Sequence, residues 1–189
     1  MTPKFDKLFQ SILLEMPDIL GNYVPSIVDT PEGNRDSYES AIEFNIKIGE
    51  FNALGVYKYV GNNKVETYEF LDENEEILVA VVRIVKTSHG YETDGLWKYK
   101  QYSKNLMIPI ILNFILPKYP HIQSTNRHSN QARDFWIRLL KYAIPKGYNC
   151  VILDTDENTE IKLNTVQQLI DSIGDIWSIS NKIPRIYKP

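Results

Sequence analysis

The chain has 189 residues (22.0 kDa), 43% hydrophobic and 24% charged, which suits one globular domain with a small appendage and is long enough to bury a core without staples. A single cysteine, Cys150, excludes an intramolecular disulfide, no apolar run approaches the roughly 18 residues of a membrane span, and Met1–Gln10 is not a basic leader before an apolar core, so a soluble cytoplasmic protein is expected. The net charge of −3 is uneven: residues 1–94 carry 8 Lys/Arg against 17 Asp/Glu, residues 95–150 carry 9 against one, and residues 151–189 carry 4 against 6. A balance of +8 in the middle of an acidic chain is what an anionic ligand needs, and is also what basic side chains coating a helix face would give.

Thr2–Met16 reads as a helix, with Phe5, Leu8, Phe9, Ile12 and Leu13 on one face, ended by Pro17. Asp18–Ser40 contains Pro25, Pro31, Gly33 and Asn34 and reads as a loop or arm. The chain therefore divides into an N-terminal helix and arm over 1–40 and a domain over 41–189. Ala41–Val60 has strand-like alternation in Ile42, Phe44, Ile46 and Ile48, followed by a turn at Gly61-Asn62-Asn63. Val65–Leu71 and Ile77–Val85 flank the acidic, turn-prone Asp72–Glu76 and predict an antiparallel hairpin. A His89–Asp94 loop and a strand over Leu96–Tyr102 follow, with Trp97, Tyr99 and Gln101 on one face.

Leu106–Leu116 is apolar except for Asn113, so it predicts a buried helix starting near Met107, with Pro109 in its first turn. After a short strand at His121–Thr125, Ser129 is placed to cap a helix. Its apolar face is Ala132, Phe135, Trp136, Leu139, Leu140 and Ala143, and Arg133, Arg138 and Lys141 lie opposite. Asn149–Leu153 reads as a strand, Asn164–Ile173 as a helix, and Ile176–Ile179 with Ile186–Tyr187 as closing strands.

From residue 65 onward this order resembles the GNAT (N-acetyltransferase) superfamily, over about two thirds of the chain. The resemblance implies a mixed α/β fold with a mostly antiparallel twisted sheet, helices on both faces, and a splay between the fourth and fifth strands of the family. It also implies acyl-CoA as cofactor, an amine as acceptor, and N-acyl transfer as the activity. The family's pyrophosphate loop falls on Gln101, Tyr102, Ser103, Lys104, Asn105, Leu106 and Met107. A turn feeding a helix N-terminus presents backbone N–H groups to phosphate, but no glycine is present here. The family's Asn-x-x-Ala-x-x-x-Tyr spacing reads Ser129…Ala132…Trp136, with Arg133 as a further cation for CoA. Trp136 replaces the family's thiol-protonating Tyr, and an indole cannot serve as a general acid. This Ser…Ala…Trp version, with Trp177 and the basic Lys182–Lys188 end, resembles GNAT-like proteins encoded by bacteriophages. Glu92 and Asp94 are candidate bases, and the two helices 107–116 and 130–141 are expected on opposite faces of the sheet.

Two other readings stay open. One is a catalytically silent GNAT-like protein that binds a virion or host protein through its N-terminal helix and arm. The other is nucleic-acid binding, since nine cations in 95–150 are interleaved with Trp97, Tyr99, Tyr102 and Tyr119. A pI near 5.7 and the lack of a binding motif weigh against it. His89, His121, His128 and Cys150 lack zinc spacing, so no metal is expected, and Cys150 in a Val/Ile strand reads as an inert buried thiol. No P-loop, Gly-x-Gly-x-x-Gly or Gly-x-Ser-x-Gly motif occurs.

Overall fold

Thr30 opens the first helix of a computed structural model that describes residues 30–60, 65–103, 105–125, 129–174, 176 and 181–188. Its side chain accepts from the Gly33 N–H and Pro31 takes the first helical position, giving helix α1 (Pro31–Phe44) a well-specified start. This corrects the loop and strand expected over 31–44: a capped proline start outweighs the apparent alternation of Ile42 and Phe44. The expected helix 2–16, the turn at 61–63, Lys104, His128 and Trp177 lie outside the described residues.

Strands β1 (Ile46–Phe51) and β2 (Leu54–Val60) form a hairpin turning on Asn52 and Ala53, both at positive φ (51° and 63°), the two-residue turn that matches strand twist. Strands β3 (Val65–Asp72) and β4 (Ile77–Lys86) form the expected antiparallel pair. Their acidic tip is a turn in which Asp72 Oδ1 accepts from the N–H groups of Asn74 and Glu75, and Glu76 is left-handed. Strand β5 (Tyr91–Lys98) begins earlier and ends earlier than Leu96–Tyr102, because Glu92 and Thr93 pair with Val85 and Ile84 while the chain turns away after Lys98.

Helix α2 winds over 107–118, with Met107–Pro109 as α-helix, Ile110–Ile115 as π-helix and Leu116–Lys118 as 3-10 helix. Strand β6 (His121–Gln123) follows, then helix α3 (Asn130–Ala143), capped by Ser129 as expected and closed by left-handed Gly147 after a 3-10 turn at Ile144–Lys146. Strand β7 (Asn149–Asp154) turns into β8 (Thr159–Leu163), a strand not anticipated from sequence. Thr165 and Gln168 form a capping box on helix α4 (Val166–Ser172), and β9 (Lys182–Tyr187) ends the fold.

One nine-stranded sheet results, ordered β1-β2-β3-β4-β5-β6-β9-β7-β8. Every pairing is antiparallel except β5 with β6. The adjacency and parallel direction expected of those two strands are therefore present. α2, α3 and α4 bury Ile110, Ile111, Ile115, Trp136, Leu139, Leu140 and Leu169 in one core with Ala80, Val82, Ile84, Ile122, Cys150, Ile152 and Ile186. The expectation that α2 and α3 lie on opposite faces is thus corrected. Two right-handed crossovers that progress across a sheet in the same direction put their helices on the same face.

The opposite face carries α1, through Tyr38 and Ala41 packed with Tyr57, Leu71, Leu78 and Val81. Asn34 fixes α1 there: its side-chain amide donates to the Leu78 carbonyl (2.9 Å) and accepts from the Leu78 N–H (3.0 Å). A single side chain thus stands in for a strand partner at a buried position, where unpaired backbone groups are costly.

Candidate functional site

The parallel junction of β5 and β6 consists of one ladder pair, Glu92 with Gln123. On its other side β5 is irregular: Gly95 pairs with Arg83 and Thr93 with Ile84, so Asp94 is an extra residue that bends the strand. Among the described residues the two strands have no ladder pair beyond Glu92 with Gln123.

Side chains hold the junction where the ladder stops. Gln123 Nε2 and Thr87 Oγ1 both donate to Glu92 Oε1 (3.2 and 3.0 Å), and Thr93 Oγ1 donates to the Gln123 carbonyl (3.3 Å). Gln123 is fully buried, and its Oε1 accepts from Arg185 Nε (2.9 Å) and Nη2 (2.6 Å). The same guanidinium reaches Glu160 (2.6 Å), the Tyr187 hydroxyl (3.1 Å) and the His89 carbonyl (2.6 Å). Arg185 is buried with all its donor groups engaged, the condition under which a buried charge is tolerated. The chain Arg185–Gln123–Glu92 therefore fixes one carboxylate at the mouth of the junction.

The turn after β5 is built from its own atoms. Lys98 Nζ donates to the carbonyls of Tyr99 (2.7 Å) and Tyr102 (2.8 Å), and the Tyr102 hydroxyl donates to Asp72 Oδ2 (2.6 Å). That last bond holds the Asp72 carboxyl below its usual range, while burial and the same carboxylate push the Tyr102 phenol up. The Tyr102, Asn105 and Leu106 N–H groups go to Tyr99 O, Ser103 Oγ and Ser103 O. Gln101, Ser103 and Asn105 are exposed, Leu106 and Tyr102 half-buried, and Met107 buried at 7% exposure. Helix α2 begins without a side-chain cap, whereas Thr30, Ser129 and Thr165 cap the other three.

The remaining sequence candidates scatter. Trp136 is 1% exposed inside the main core. Asp94 is exposed and bonded to Arg83. Ser129 accepts from the Ala132 N–H (3.2 Å), and Arg133 is half-buried in the first turn of α3. Sequence reading missed Thr87, Gln123 and Arg185; the alternation of β9 marks its apolar positions, but no local signal distinguishes a buried arginine from a solvated one.

A second polar cluster also escaped it. Tyr68 and Tyr119, both buried, bond to each other (2.8 Å) and to Glu66, which also pairs with Lys58 (3.0 Å). Within the basic segment, Lys118 sits over the Phe114 ring (4.0 Å), Lys146 over the Tyr142 ring (4.8 Å), and Lys98 lies inside the turn. Three of its cations thus serve local contacts. Cys150 is fully buried, with its thiol pushed up to about 12, as expected of an inert thiol. Among the described residues no group of three or more His, Cys, Asp or Glu is placed to hold a metal, and no helix is long and apolar enough to cross a membrane. A surface hollow of about 460 Å³ along α3 is lined by Gln131, Asp134, Ile137 and Arg138, none of which belongs to the junction or the turn.

No protein-family model, curated protein or solved structure matches the chain.

Proposed function

We propose that the protein is a GNAT-like descendant of the acyl-CoA-dependent N-acyltransferases that binds a CoA-type ligand between β5 and β6 and turns over slowly or not at all. The observation that carries the reading is the parallel β5–β6 contact, reduced to one pair and followed through the buried crossover helix α2. In the arrangement that the GNAT resemblance implies, the pantetheine arm lies at such a junction and the diphosphate meets the start of the next helix. The chain's own atoms fit the second part in one respect: among the described helices α2 alone starts without a side-chain cap, since Leu106 at its N-cap has no side-chain acceptor to offer the first-turn amides. They do not fit a glycine-type cradle, because the Asn105 and Leu106 amides already donate inside the turn.

Acyl-CoA would supply the activated acyl group. An attacking amine must lose a proton to a base, and Glu92 is the carboxylate that Thr87 and Gln123 hold at the junction. The departing thiolate needs an acid, and the position that the family fills with a phenol is Trp136, enclosed in the core. Binding without efficient turnover follows. That same burial favours a second reading, a silent protein of this fold that engages a protein partner.

Calorimetric titration with CoA, dephospho-CoA and a single-stranded oligonucleotide, each at two salt concentrations, tests the proposal. CoA binding that weakens without the 3′-phosphate and varies little with salt supports it. Oligonucleotide binding that falls steeply with salt points to nucleic acid instead. Binding of none of the three leaves the silent reading and overturns the proposal.

A further inference from the structure

Among the described residues the sheet ends in two strands with one neighbour each, β1 and β8. An open edge presents unpaired N–H and C=O groups and invites another strand unless something blunts it. β1 is blunted: its register with β2 shifts between Lys47 and Gly49, and Lys47 lies against Glu73 (2.7 Å). β8 is not. It pairs with β7 at five consecutive positions without irregularity, contains no proline, and its middle residue Ile161 is 55% exposed.

The sequence of β8, Thr159-Glu160-Ile161-Lys162-Leu163, is complementary to itself when reversed. If a second copy lies antiparallel about a two-fold axis through Ile161, Ile161 meets its own counterpart. Glu160 then stands opposite Lys162 of the second copy, and this pair occurs twice. Directly opposed unlike charges stabilise an antiparallel pair and like charges destabilise it. Glu160 is already fixed by Arg185 and Tyr187, so little order remains to be imposed on it when the copies meet. Beside this edge α4 buries Leu169 and leaves Ile170 45% exposed. Ile161 pairs with Ile152, which shares the core with Leu169, so both exposed isoleucines lie on one side of the sheet.

We propose that two copies of this chain associate through β8, continuing the sheet of one across the two-fold axis into the sheet of the other, with Ile161 and Ile170 as the apolar part of the contact. A contact of five residues per strand is smaller than a standard interface, so the dimer is reversible and concentration-dependent.

Sedimentation velocity over a concentration series up to about 100 µM tests the association, a range chosen for a micromolar dimer. The expected result is a monomer–dimer equilibrium that Lys162→Glu weakens about tenfold or more, since both ion pairs become repulsive. The register is tested by Ile161→Cys under mild oxidation. Residues directly opposite in an antiparallel pair lie within disulfide reach, so a covalent dimer is expected, and none from Glu157→Cys in the adjoining turn. A protein that stays monomeric at the highest concentration overturns the proposal. So does a dimer that Lys162→Glu leaves unchanged, or one in which Ile161→Cys fails to cross-link.

Discussion

Glu69 lies mid-strand in β3, paired with Tyr57 of β2 and Val81 of β4, on the face that α1 covers. Its carboxylate takes the Asn45 side-chain amide, at the residue that ends α1. Burial pushes its pKa from 4.5 up to about 7, with the Asn45 bond pulling the other way. The folded protein therefore keeps a proton that the unfolded chain releases near its ordinary value. Stability from this group is fully present below the unfolded pKa, is lost as pH rises toward 7, and changes no further above it. The full shift corresponds to about 3 kcal/mol, and the side chain's partial exposure argues for about 1–3. Glu69→Gln keeps the shape and the acceptor for Asn45 but removes the charge. In urea unfolding followed by tryptophan fluorescence, the variant should exceed wild type by about 1–3 kcal/mol at pH 8, and by about a third of that or less at pH 5. Asp72, Glu73 and Glu66 have lowered pKa values and act in the opposite sense, but they cancel in the comparison of the two proteins. Equal differences at the two pH values, or a less stable variant at pH 8, would refute the reasoning.

Two further substitutions separate structural from catalytic roles. Asn34→Ala strands the buried N–H and carbonyl of Leu78, and should cost about 2–4 kcal/mol in the same unfolding assay. Trp136→Tyr should lower stability by about 1–3 kcal/mol through lost packing, and should not raise acetyl transfer to simple amines measured by thiol release. A rise in transfer would put residue 136 at the thiol rather than in the core.

The hairpin β3–β4, the apolar run of α2 and the capped face of α3 were readable because each combines a strong period with an unambiguous stop or start. α1 was not, since Ile42, Phe44, Ile46 and Ile48 alternate straight across the boundary from helix to strand. Strand β8 was missed although its turn repeats that of β3–β4. Asp154 Oδ1 accepts from the Asp156 and Glu157 N–H groups and Asn158 is left-handed, as Asp72, Asn74, Glu75 and Glu76 do in the first turn. The polar run Asp154-Thr155-Asp156-Glu157-Asn158, as turn-prone as Asp72–Glu76, was the available signal. At the junction, Glu92 could be nominated from sequence as a carboxylate near a strand. Its fixation could not, because Gln123 reaches it from 31 positions away along the chain and is itself held by Arg185, a further 62 positions on.

Hydrogen exchange with and without acetyl-CoA addresses the site proposed between β5 and β6 directly. Binding there should slow exchange in the peptides spanning 91–98 and 121–123 and at the first turn of α2, and leave β1, β2 and β8 unchanged. Protection confined to other strands, or none at saturating ligand, would contradict the account.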